Sequence, residues 1–410
     1  MQTARCRWGL SLAPLLFLLA VPSHAQTPSR GDRSKPANDP ANCPHTAGDP
    51  KILEVAGILS LGGFSFGEED STAEIDDFLG SNDVRWIETA HFKIGMGLGP
   101  YKIDRKEKAR LLDELQRLAV HIPSIKPEKI RVLDPWLRAY IYAQRAEDLW
   151  TQMQGILGVT DADFPDGTEP WDTQGKYMGV GPFLGEKGKP EVLILPSQGA
   201  CSDYLRHYFG LLTRMSQRWN ILDRDVLHLV IHTGQGNLDE DAALHGHFVF
   251  NLSQQLLDAY KHYSYEIPVW LKEGLAHWLE RSINPEHNTF NGSEGAAAIQ
   301  TNKADWNRPT RELVQGNETI SLAQLVRIQG FGELELAHHY TVWSMIDFLM
   351  SEHPKFVGQL LNDIKGMVNE QFIDDGTGLD DKHRAAFRTH LGMTYAQFDR
   401  VWAAWVKEHY

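Results

Sequence analysis

Apolar residues recur at helical intervals over much of the second half of the chain and in two blocks of the first. Phe248, Leu252, Leu256 and Tyr260 stand four apart and predict a helix from Asp241 to about Tyr263. Pro268 precedes a second helix, from Trp270 to Arg281. Further helical patterns run over His338–Met350, Lys355–Val368, Asp381–Leu391 and Tyr395–His409. Upstream, Asp104–Val120 and Leu133–Leu157 have the same period, with Leu137, Tyr140, Ile141 and Leu149 on one face, and Asp203–Trp219 also reads as a helix. Strand character appears at Arg85–Ile94 and Pro190–Pro196, while glycines interleaved through Ile52–Phe66 suit short strands and turns.

Asp225–Thr233 needs a decision because His228 and His232 stand four apart. On a helix their axial separation would be about 6 Å, within reach of one metal ion, and on a strand about 13 Å. The run is short and rich in Val, Ile and Leu, and it stops at Thr233-Gly234, so strand is the prediction. Both histidines are then face residues rather than ligands.

The amino terminus has a different pattern. Arg5 and Arg7 precede a twelve-residue apolar run, Leu10 to Val21, followed by Ser23-His24-Ala25. This is the layout of a cleaved secretory signal, with the mature chain starting near Gln26 in the periplasm or outside the cell. Twelve apolar residues are too few to span a bilayer, which takes about twenty, so no membrane anchor is expected in the mature form. Gln26–Pro50 is rich in Pro, Ser, Asn, Asp and Gly and reads as a flexible leader. The expected organisation is a signal at 1–25, a leader at 26–50, an α/β region at 51–224, a motif region at 225–282 and a helical region at 283–410.

Composition narrows the function classes. The chain has 54 Asp+Glu against 40 Lys+Arg, a net charge of −14, which becomes about −16 once Arg5 and Arg7 are removed. That balance opposes nucleic acid, and no basic run offsets it. Cys6 leaves with the signal, and Cys43 and Cys201 are left to pair with each other or remain free. Two cysteines make neither a disulfide scaffold nor a cysteine-rich zinc site. No G-x-S-x-G occurs, so serine hydrolase chemistry has no signature.

The most informative stretch is Ile267–Glu280, which contains Pro268-Val-Trp270-Leu271-Lys-Glu273-Gly274-Leu-Ala276. It resembles the P-x-W-L-x-E-G-x-A segment of the gluzincin metallopeptidases, the thermolysin-like and aminopeptidase-like families. The resemblance extends more weakly over residues 85–410. It implies an α+β, zincin-like core with a small N-terminal mixed sheet and a mostly helical C-terminal part, and it makes Glu273 the third zinc ligand. In those families the preceding helix carries HExxH, two histidine ligands and a glutamate that takes a proton from the metal-bound water.

Here the segment aligned with that motif reads His247-Phe248-Val249-Phe250-Asn251. Phe248 replaces the base and Asn251 the second histidine. An aromatic ring accepts no proton, and an amide is a poor zinc ligand. The expectation is therefore an inactive metallopeptidase relative with no cofactor, whose cleft, including Asn251 and the Tyr340 hydroxyl, binds a peptide, a glycan or a protein, or persists as a scaffold. The alternative is a working hydrolase with one Zn2+ on His247, Glu273 and His277, the last two being four apart on one helical face. His245, two residues from His247, points about 200° away and is left out. Without a metal, Glu273 and His277 would hydrogen-bond to each other and to Asn251 as a buried polar remnant.

Overall fold

The computed structural model describes residues 38–80, 83–167, 177–290, 304–371 and 373–410. Residues 1–37, where the signal and most of the leader are expected, lie outside them. In chain order the elements are α1 (Pro50–Val55), β1 (Ile58–Ser60), β2 (Ser65–Phe66), β3 (Asp70–Ser71), α2 (Thr72–Leu79), β4 (Arg85–Thr89), β5 (Lys93–Met96), β6 (Tyr101–Lys102), α3 (Lys108–His121), β7 (Val132–Leu133) and α4 (Pro135–Leu157). Then come β8 (Glu191–Leu195), α5 (Gln198–Phe209), β9 (Gln217–Ile221), β10 (Val226–His232), α6 (Asp241–Ala259) and α7 (Val269–Ile283). The C-terminal part is helical: α8 (Asn307–Gly316), α9 (Leu322–Leu325), α10 (Leu336–Glu352), α11 (Phe356–Ile364), α12 (Leu379–Leu391) and α13 (Tyr395–His409).

The fold is α+β around a six-stranded mixed sheet in the order β1-β4-β5-β8-β10-β9. β5, β8 and β10 are parallel, and β9 runs antiparallel to β10 at one end, with Trp219 opposite His228 and Arg218 opposite Leu229. Successive residues of β8 and β10 alternate between two cores: Val192, Ile194, Leu229 and Ile231 join the larger one, and Leu193, Leu195 and Val230 face α5. Both faces are covered, which explains runs of apolar residues without alternation. His228 and His232 lie on the α5 side, where His228 Nδ1 is 2.9 Å from Glu191 and Nε2 is 3.2 Å from Tyr204.

The large core lies between the sheet, α4, α6 and the C-terminal helices. α4 starts where the Asp134 carboxylate accepts the Trp136 and Leu137 N–H groups, and it ends at Gly158 in the left-handed region, φ 70°. Residues 37–410 form one compact unit, so the three regions from 51 onward are parts of one body. Among the described residues no helix is long and apolar enough to cross a membrane.

Four expectations need correction. The helix expected over Asp203–Trp219 is instead α5 followed by β9. Ser197 caps α5 earlier than expected and Gly210 ends it at φ 65°, freeing the following residues to form the last strand of the sheet. The strand expected over Arg85–Ile94 is a hairpin, β4 and β5, pairing Glu88 with Lys93. Residues expected to be strands and turns begin with α1, whose N-cap is Asp49. The end of the leader is not loose: Cys43 and Thr46 are buried, both within hydrogen-bond range of the Tyr140 hydroxyl. Cys43 and Cys201 are both free and lie in different cores, so they do not pair with each other.

A candidate site between two helices and an edge strand

α6 and α7 lie side by side, joined by Lys272 Nζ, which donates to Asp258 at 2.8 Å, and at the site by an amide–carboxylate pair. Gln254 Nε2 donates to Glu273 Oε1 at 2.9 Å, both side chains being fully buried. On a helix the residue one turn earlier on the same face is Phe250, whose ring centroid is 5.0 Å from that of His277. The residues facing Glu273 from α6 with motif spacing are therefore Phe250 and Gln254. This corrects the alignment by three residues: the segment beside Glu273 is Phe250-Asn251-Leu252-Ser253-Gln254, not His247 to Asn251. Phenylalanine and glutamine then stand in the two histidine places and Asn251 in that of the base. The donors present do not fit the zinc site implied by the resemblance, because an amide and a phenyl ring replace two imidazoles.

Arg218, on β9, holds these amides in place. Its Nη1 donates to Asn251 Oδ1 at 2.9 Å and its Nη2 to Gln254 Oε1. With both carbonyl oxygens taken, the Asn251 amide nitrogen turns back to donate to the His247 carbonyl at 2.8 Å and lies 3.2 Å from His247 Nε2. The other ring nitrogen of His247 is 3.3 Å from Thr289 Oγ1, and Thr289 donates to Glu280. Glu280 Oε2 is 3.3 Å from His277 Nδ1, and His277 Nε2 is 3.0 Å from His339 Nδ1. Glu273 Oε2 closes the circuit, 3.5 Å from His277 and 3.7 Å from His339.

Burial sets the charge of this circuit. The His247 and His277 rings are pushed down to about 3, mainly by desolvation, and His339 falls well below the ordinary imidazole value for the same reason. All three are neutral at physiological pH. Glu280 is pushed up to about 7 by burial, against the opposing hydrogen bonds from Thr289.

The ligand set of the rearranged zinc site is only partly assembled. Glu273 and His277 come together, but His247 is turned to Asn251 and Thr289, and the third nearby ligating atom belongs to His339 of α10. The polar remnant expected around Asn251 is centred on Gln254 instead. Asn251 lines the cleft. Tyr340 does not belong there: it packs with Trp306 and Trp343 in a separate aromatic cluster, since residues 339 and 340 point to different sides of α10. His245 faces Arg110, 3.2 Å away, as its angular offset from His247 predicts. Sequence reasoning missed Arg218, Gln254 and His339. Arg218 was hidden by assigning its segment to a helix, and Gln254 by the three-residue shift. The doublet His338-His339 at the start of a predicted helix was an available signal.

His339 reaches the site because α7 and α10 pack closely at Gly274. A Cβ there would meet the Val342 carbonyl oxygen at 2.7 Å and Ile346 Cγ1 at 2.8 Å. The glycine beside Glu273 therefore permits the approach that puts His339 against it.

The adjacent cleft has a volume of 630 Å³ and is bounded by β9, the α6 face carrying His247 and Asn251, and the rings of Phe290 and Phe331. Among the described strands β9 is the last in the sheet, so its second edge is not paired within it. No known family model matches the sequence, and no curated protein aligns with it significantly.

Proposed function

We propose that this is an exported, gluzincin-like protein that has lost zinc hydrolysis and uses the old cleft to bind an extended peptide segment. The observation that carries the reading is the Arg218 clamp on Asn251 and Gln254. Its two hydrogen bonds lock amides at the positions where the resemblance requires a base and a histidine. General acid–base catalysis contributes roughly 10²- to 10⁴-fold, and neither amide supplies it.

Peptide is favoured over glycan as ligand because the cleft runs along a sheet edge. An extended chain can add to β9 through backbone hydrogen bonds while Phe290 and Phe331 cover its side chains. Export rests on the amino-terminal layout, and the acidic balance argues against nucleic acid as partner. The alternative of an active hydrolase on His247, Glu273 and His277 is disfavoured by the orientation of His247.

The test is binding of fluorescein-labelled, reduced and carboxymethylated casein fragments, followed by anisotropy, with maltohexaose as glycan competitor. Saturable binding that is weakened tenfold or more by Phe331→Ala and is indifferent to maltohexaose is expected. Displacement by the glycan, or binding unchanged in the variant, would refute the peptide reading.

A further inference from the structure

Among the described residues, two groups of side chains bring three ligating atoms close together: Glu186, Asp225 and His262, and Glu273, His277 and His339. In the first, Asp225 is already paired with Lys187 at 2.9 Å, and two of its three members are only half-buried. The second is fully buried and its ligating atoms face one another.

We propose that Glu273, His277 and His339 form a buried site for one first-row transition-metal ion of the zinc type, which shares only Glu273 with the site implied by the gluzincin resemblance. Its three ligating atoms, His277 Nε2, His339 Nδ1 and Glu273 Oε2, are 3.0, 3.5 and 3.7 Å apart. A triangle with those sides has a circumradius of about 2.0 Å, so a single point lies about 2.0–2.1 Å from all three, the Zn–N and Zn–O bond length. Ligand atoms around a tetrahedral ion at that distance are separated by about 3.3 Å, close to the mean of these sides. The cluster needs little movement to hold an ion.

The surroundings orient the ligands as metal sites require. His277 presents Nε2 to the site while its Nδ1 faces the Glu280 carboxylate, which is fixed in turn by Thr289. Glu273 presents Oε2 while Oε1 accepts from Gln254. A carboxylate behind a ligating imidazole fixes its tautomer and raises its basicity. In the metal-free chain, His339 Nδ1–H can donate to His277 Nε2. Metal binding requires only that His339 carry its proton on Nε2 instead.

Three protein ligands leave a fourth place for a water molecule or small anion. Phe290, which lines the cleft, packs its ring 5.5 Å from that of His277 and 4.9 Å from that of His339. The ion would tie α7 to α10 next to the Gly274 crossing, and the peptide-binding reading of the cleft does not depend on it.

The test uses the whole mature chain, stripped with dipicolinate and titrated with Co2+ and then Zn2+. One equivalent per chain with the visible absorption of four-coordinate Co2+, together with a raised Tm, is expected. The band should be lost in His277→Asn and His339→Asn and retained in His247→Asn. Absence of saturable binding, survival of the band in His339→Asn, or its loss in His247→Asn would overturn the proposal. X-ray absorption on the zinc-loaded wild-type chain gives a readout independent of any variant's folding: two imidazoles and one carboxylate are expected, with retention of the band in His247→Asn separating this set from one built on His247, and any other protein ligand set refutes it. Failure here, with casein binding intact, would leave the cleft reading standing.

Discussion

Asp241 opens the helix that carries Asn251 and Gln254, and it is anchored from behind by the buried Arg145 and the partly exposed Arg110. Arg145 Nη2 and Nη1 donate to its carboxylate at 2.6 and 3.1 Å, Arg110 Nη2 donates at 2.7 Å, and Asp241 and Arg145 are 1% and 2% exposed. Arg145 holds the Asp241 carboxyl well below its ordinary value, the strongest influence after the opposing desolvation, with Arg110 adding to it. Removing one partner of such a pair costs about 3–5 kcal/mol, because the other remains as a buried charge. Asp241→Ala should fall near the lower end, about 3 kcal/mol, since Arg145 keeps Glu114 at 2.9 and 3.0 Å. Arg145→Met should cost as much, leaving Asp241 to Arg110 and the more distant Tyr142 hydroxyl. The double variant removes both charges and should cost about 3–4 kcal/mol rather than the sum of the two, a coupling of about 2–3 kcal/mol. Urea unfolding of the four proteins at pH 7 measures this. Single costs below about 1 kcal/mol, or strict additivity, would refute the assignment of this cluster as the anchor of α6.

Other consequences follow from particular contacts. Phe250→His with Asn251→Glu and Gln254→His should create a zinc site with Glu273, seen as zinc retained on the two introduced histidines and a stabilisation of about 2.7 kcal/mol at zinc one hundred times Kd. The variant Phe248→Glu with Asn251→His, built on the other register, should gain neither. Gly274→Ala should destabilise by about 1–3 kcal/mol through the clash with Val342 and Ile346, read by thermal unfolding. Glu186 is fully buried and its carboxyl is pushed up to about 7 by desolvation. Because the folded value is raised, its contribution is complete below pH 4.5 and is lost as pH rises through 7. From pH 5 to pH 8 the wild-type chain should therefore lose about 2–3 kcal/mol relative to Glu186→Gln, measured by urea unfolding at both pH values.

Long periodic segments were legible, and α4, α6, α7 and α13 lie within a few residues of expectation because apolar residues recur through them at helical intervals, with cap residues also marking α4 and α13. The strand containing His228 and His232 was legible from its β-branched run. What failed depended on partners distant in sequence. β9 has the composition of a helix end and is a strand only because β10 offers an edge beside it. The motif register could not be set from a lone histidine. His247 attracted the alignment by its identity, whereas the contact of Gln254 with Glu273 is tertiary. His339 joined the cluster through Gly274, whose lack of a side chain is a local fact with a long-range effect.

On the proposed function, α6 offers Glu273 an amide and a phenyl ring and the cleft is expected not to hydrolyse peptide bonds. Cleavage of labelled casein by the purified mature chain, with Zn2+ added to saturation, tests it most directly. No turnover above a heat-denatured control is expected. Zinc-dependent turnover that disappears in Glu273→Gln would contradict it.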